Sequence, residues 1–181
     1  MDRDLEITEL PFALREGPGE AGMPYLRAEP APLPVGTVGL CHAAGDWDLG
    51  RSIAPELFRS LVAGCPAVTL VAEPSALPVL NPEGCPFDMD ATAALVMACD
   101  LVVTVDTMIA HLAGALGRPT WLLLKAEPDW RWVPGARGTA WYPAMRLYHQ
   151  PVAGDWASVI AEVARDLGAR YAGAIPDPES S

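Results

Sequence analysis

The stretch Val105-Asp106-Thr107-Met108-Ile109-Ala110-His111 puts three polar side chains where an anion could be held. An apolar run ends at Val105 and helical spacing begins at Met108, so Asp106-Thr107 marks a strand-to-helix junction. The first amides of a helix lack intrahelical acceptors, and the helix dipole favours negative charge there. Thr107 could add a hydroxyl donor to a phosphate. His111 lies one turn further on the same helix face and could donate to the same group. Asp106 would repel a phosphate, so its better use is to accept from sugar hydroxyls or to hold the loop. The plainer alternatives stay open: Asp106 or Thr107 serves as the helix N-cap, and His111 is a structural histidine.

Other candidates lie at the ends of other apolar runs. Arg51 sits just before a helical segment and could clamp a phosphate with its planar fork, or be a solvated surface residue. Gly45, in the preceding loop, would let backbone approach a ligand. His42 either lines the cleft or packs. Lys125, the sole lysine, follows Trp121–Leu124 and is either a phosphate or ribose contact or a surface residue. Glu73 follows another strand and could take ribose hydroxyls. Trp130, Trp132, Trp141 and Tyr142 crowd one loop, to stack on a base or sugar or to close the sheet edge. Neither a GxGxxG nor a Walker sequence is present. No His or Cys spacing suits a metal, so none is expected.

The elements that must position these residues alternate. Short apolar runs at 37–41, 67–72, 101–105, 120–124 and 145–148 read as strands. Helical spacing at 55–64, 91–99, 108–116 and 157–171 separates or follows them. Gly117 stands at a helix C-cap with Pro119 beyond it. Residues 74–90 hold four prolines and read as irregular. Strands that are apolar throughout and separated by helices imply an α/β fold, a Rossmann-like doubly wound parallel sheet. Ligands of such sheets bind beyond the strands' carboxyl ends, so the residues just after each strand are the ones to inspect. Residues 1–36, rich in Pro and Gly, read as a linker or extended arm, 37–173 as the domain and 174–181 as a flexible tail.

Composition narrows the partners. With 12 Lys and Arg against 23 Asp and Glu, the net charge of −11 disfavours nucleic acid and anionic membrane surfaces. Residues 101–150 run against that trend with five basic and three acidic residues, a hint of an anionic ligand. At 51% hydrophobic, the 181 residues can bury a core, yet no apolar run is long enough to span a membrane. The start lacks a signal core, and the four cysteines form no CxxC pair, so they read as buried thiols of a cytoplasmic protein.

The segments DLVVTVDTMIAHLAGALGRPTWLLL, PDWRW, WYPAMRLYHQP and GDW occur in that order. In this the chain resembles the C-terminal domain of glycosyltransferases of the ADP-heptose:lipopolysaccharide heptosyltransferase family (glycosyltransferase family 9-like), especially the versions attached to tetratricopeptide repeats. It is distantly similar to O-linked N-acetylglucosamine transferases. The agreement spans 37–169 with gaps and is dense over 91–156; Leu10-Pro11 through Pro24-Tyr25-Leu26 resembles the family's interdomain connection. The resemblance implies one half of a GT-B fold, the domain that binds a nucleotide-sugar donor. The acceptor-binding N-terminal domain would be missing, so a separate chain or self-association would have to complete the cleft. Carried over, Asp106, Thr107 and His111 match the donor site, and Arg51-Ser52-Ile53 matches an Arg-Ser-Ile after the first strand. The family's first loop differs from Cys41-His42-Ala43-Ala44-Gly45-Asp46, and Lys125 stands where a Pro is common. The competing expectation is a non-catalytic nucleotide-binding or protein-interaction module on the same fold.

Overall fold

A computed structural model describes residues 22–46 and 48–172, with Arg15 and Gly17. The remainder of the arm, Trp47 and the 174–181 tail lie outside the described residues. Five strands form one sheet: β1 (Val38–Cys41), β2 (Ala67–Thr69), β3 (Leu101–Val105), β4 (Thr120–Leu124) and β5 (Met145–His149). All pair in parallel, in the order β2-β1-β3-β4-β5. The expected α/β Rossmann-like sheet is therefore what forms. Helices α1 (Met89–Ala98), α2 (Met108–Ala115) and α3 (Trp156–Ala172) flank it.

Side chains alternate between the two faces, as the strand period of two requires. Val103, Val105, Leu123 and Tyr148 join α3 residues Val159, Ile160, Val163 and Leu167 on one face. Val68 and Val102 meet α1 and α2 on the other, through Val96, Ile109 and Leu112. Leu122, Leu124 and Leu147 meet Trp132 and Tyr142. Three of the four loop aromatics thus pack into or against this core, with Trp141 only partly buried, and Trp130 alone is mostly exposed.

The segment 55–61 is a 3-10 helix, not the expected α-helix. Over two turns the apolar spacing Leu57, Phe58, Leu61 fits either form, and Pro55 starts both equally well. Strand β2 stops at Thr69, not Ala72, because the Thr69 hydroxyl accepts from the Val71 N–H and turns the chain. Cys65 is half-buried, whereas Cys41, Cys85 and Cys99 are buried as expected; all four are free thiols.

Both sheet edges are covered by irregular chain. Along β2, Asn81 accepts from the Thr69 N–H and donates to its carbonyl, and the Leu80 N–H bonds the Ala67 carbonyl. The proline-rich segment so blocks the edge as a strand would. Along β5, Gly138 bridges Arg146 in antiparallel fashion. The described part of the arm is extended and docked: the Tyr25 and Leu26 N–H groups both bond the Ala115 carbonyl, and Ala31 N–H bonds that of Ala94.

Helix α2 ends in a Schellman motif. Gly117 takes φ +70°, its N–H bonds the Gly114 carbonyl, and the Arg118 N–H bonds that of Ala113. Earlier in the same helix, a Cβ at Gly114 would lie 2.4 Å from the Tyr142 ring. Gly168 in α3 has nothing within 4 Å. Helix propensity favours Ala at both, but only Gly168 has the room. Gly168→Ala should stabilise by up to about 1 kcal/mol. Gly114→Ala should destabilise by about 1–2 kcal/mol, overpacking outweighing propensity. Urea melts of the two variants check the opposite signs.

Candidate functional site

The strand order reverses between β1 and β3, and their carboxyl ends open a crevice. Two clefts occupy it among the described residues. The larger, about 690 Å³, runs over β1 and β2 past Gly45, Leu70 and Glu73 to Phe87, whose side chain is 94% exposed at the rim. The smaller, about 420 Å³, lies over β3 and β4 and is lined by Asp106, His111, Lys125, Asp129 and Arg131. Arg51, Thr107 and Met108 line both, so the clefts adjoin there.

Thr107 is the N-cap of α2: its backbone is extended and its hydroxyl oxygen accepts from the Ile109 N–H at 3.1 Å. Capping does not exhaust it, since the hydroxyl proton remains for an acceptor. The Cys41 Sγ is 3.8 Å away, and burial pushes that thiol's pKa up, so it stays protonated.

Arg51 is braced. Its Nη1 donates to the Asp106 carbonyl at 2.7 Å, and its Nε lies 3.9 Å from the Asp48 carboxylate. Asp48 in turn accepts from Lys125 Nζ at 2.7 Å. The hydrogen bond from that ammonium holds the Asp48 carboxyl below its ordinary range. The loop after β1 is so tied to the ends of both β3 and β4.

His111 is held by two aromatics. Trp132 stacks on its ring with centroids 5.6 Å apart, Tyr142 meets it edge-on, and the Tyr142 hydroxyl lies 3.0 Å from Nδ1. Burial lowers the His111 pKa, so the ring is neutral near pH 7.

Of the residues singled out in the sequence, Arg51, Asp106, Thr107, His111 and Lys125 come together around the smaller cleft. Gly45 and Glu73 line the larger. His42 lines neither. Its carbonyl accepts from the Ile53 N–H and its ring packs edge-on to Phe58. Trp130 lines neither and meets Trp141 and Arg131 instead. Sequence reading missed Asp48, which no motif flagged, and the contact of Tyr142 with His111, 31 positions apart.

Burial lowers the pKa of His42 as well as of His111. The unfolded chain, with histidines near pKa ~6.5, therefore binds more protons than the folded chain just below that pH. Stability should fall as pH drops from about 6.5 towards the folded values and then level off. Urea melts between pH 7.5 and 5 measure this, and His111→Gln should flatten the slope.

Residues 85–136 match the model of glycosyltransferase family 9 (heptosyltransferase), a span that holds Asp106, Thr107, His111 and Lys125 but neither Arg51 nor Glu73. Protein FlbA of Caulobacter vibrioides is 31% identical over 102 residues, 55% of this chain and 17% of that protein. The solved structure of E. coli ADP-heptose lps heptosyltransferase II is similar in fold, with TM-score 0.52 and 15% identity, over 94% of this chain and 53% of that one. The chain thus spans about half the length of its solved relative and a smaller share of its curated one. Residues matched by that family model line part of this crevice, on a Rossmann-like domain whose fold is similar to that of a solved heptosyltransferase.

Proposed function

We propose that the chain binds a nucleotide-diphosphate sugar, as the donor half of a GT-B-type glycosyltransferase. The observation that supports this is the meeting of two clefts at Arg51 and Thr107, on the N-terminal end of α2. A diphosphate set at that junction would meet a guanidinium, a hydroxyl donor and the positive end of a helix. The larger cleft suits a base and ribose, with Glu73 accepting from ribose hydroxyls. The smaller suits the sugar, with Asp106 and Asp129 as hydroxyl acceptors.

In glycosyl transfer the bond from the sugar to the diphosphate breaks, and charge builds on the leaving phosphate. Arg51, Thr107, His111 and the helix terminus are the groups that would stabilise it, with no metal in this reading. The acceptor and the base that deprotonates it would come from elsewhere, a second domain, a separate chain or another copy. Catalysis by these residues alone is therefore not expected. The tetratricopeptide-repeat-associated type belongs to this reading, on the ordered motifs from DLVVTVDT to GDW. A cytoplasmic setting belongs to it too, supported by four free thiols. No helix of the described residues is long and apolar enough to cross a membrane.

Calorimetric titration with ADP, UDP and GDP and their sugars tests the reading. At least one should bind. Arg51→Ala and Thr107→Ala should each weaken that ligand about tenfold, the scale of one charge-assisted hydrogen bond. Thr107→Ser, which keeps the hydroxyl, should restore it. No binding at millimolar concentration would discard the donor site and leave an interaction module on the same fold.

A further inference from the structure

The one imidazole of the smaller cleft has its inner nitrogen fixed from outside the cleft. His111 Nδ1 is 3.0 Å from the Tyr142 hydroxyl, and Tyr142 lines neither cleft. Tyr142 has one proton to give, and Nδ1 lies within reach of it. An imidazole nitrogen is a far better acceptor than a phenol oxygen, so the proton goes to Nδ1.

Two further observations make this a fixed arrangement. The Trp132 ring stacks 5.6 Å from that of His111 and limits its rotation. Gly114, one turn from His111 on α2, leaves the space into which the Tyr142 ring fits. A neutral imidazole that accepts at Nδ1 must carry its proton on Nε2.

We infer that Tyr142 is a positioning residue: its hydroxyl fixes the Nε2–H form of His111 and thereby presents an N–H donor, not a lone pair, to the smaller cleft. The consequence is chemical. With a lone pair facing the cleft, His111 would accept from sugar hydroxyls or act as a base. With an N–H there, it donates to an anionic oxygen. That second role rests on the diphosphate reading above; the proton position does not.

The experiment separates the two. Long-range proton–nitrogen NMR of the ligand-free full chain reports which ring nitrogen is protonated, with the His111 signal identified by its loss in His111→Gln. The expected result is a single Nε2–H form in the wild type. In Tyr142→Phe, which keeps the ring that Gly114 accommodates, a mixture of the two forms is expected. An Nδ1–H form in the wild type, or an unchanged Nε2–H form in Tyr142→Phe, overturns the inference. ADP and UDP titrated into both proteins then read the consequence, with about threefold to tenfold weaker binding expected for Tyr142→Phe. Equal affinities overturn the role assigned to the N–H. If neither nucleotide binds the wild type, the donor reading and the role that depends on it fall, while the NMR result still decides the proton position.

Discussion

An all-parallel sheet has every strand's carboxyl end on one edge, so every loop that can carry chemistry leaves from the same side. What decides where a ligand could lodge is the point at which successive loops part. Here β1 is flanked by β2 on one side and β3 on the other. The chain leaving β1 passes to one face of the sheet and the chain leaving β3 to the other, which opens the crevice. One hydrogen bond then closes its floor: the Arg51 guanidinium reaches across to the Asp106 carbonyl at 2.7 Å. That contact makes two clefts out of one crevice and puts the same residue in the walls of both.

The strands were legible because burial on both faces leaves them apolar throughout, as in Leu101–Val105 and Thr120–Leu124. The helix start at Thr107 and its stop at Gly117 were legible because caps need particular residue types at fixed offsets. Less legible were features set by tertiary partners. Whether 55–61 winds as α or 3-10 is not written in seven residues. Nothing local marks Asn81 as the group that seals β2, because its partner is the backbone of Thr69, twelve positions away. The aromatic loop illustrates the same limit. Composition left base stacking and structural packing both open. Trp132 and Tyr142 entered the core, yet both touch His111, so structure and site share them.

Thr107 shows why the two readings of a residue need not exclude each other. The N-cap takes a lone pair of the hydroxyl, and anion binding would take its proton. The same holds for Arg51, which spends one N–H on the Asp106 carbonyl and has a fork of five donors. In both cases the structural bond fixes the orientation that a binding role would need. These groups are held in place by the fold itself, which would lower the ordering cost of any ligand bound there.

The charge pattern points to this crevice, yet most of the basic residues behind it are engaged elsewhere. Of the five basic residues in 101–150, Arg118 bonds the Cys99 carbonyl, while Arg137 and Arg146 pair with Glu162 and Asp166 of α3. Only Lys125 and Arg131 line a cleft, and the third cation there, Arg51, comes from the acidic segment before it. These cations already have carboxylates beside them, Asp48 against Lys125 and Arg51, Asp129 against Arg131. An anionic ligand would therefore exchange with Asp48 rather than fill a bare positive field. Part of the Coulomb gain would be offset by the ion pairs it loosens. Net charge would so contribute little to selection, and the placement of donors at Arg51, Thr107 and His111 would contribute more. A polyhydroxylated group beside a diphosphate suits such a site better than a simple anion does, because the acceptors Asp106 and Asp129 face the same cleft as the donors.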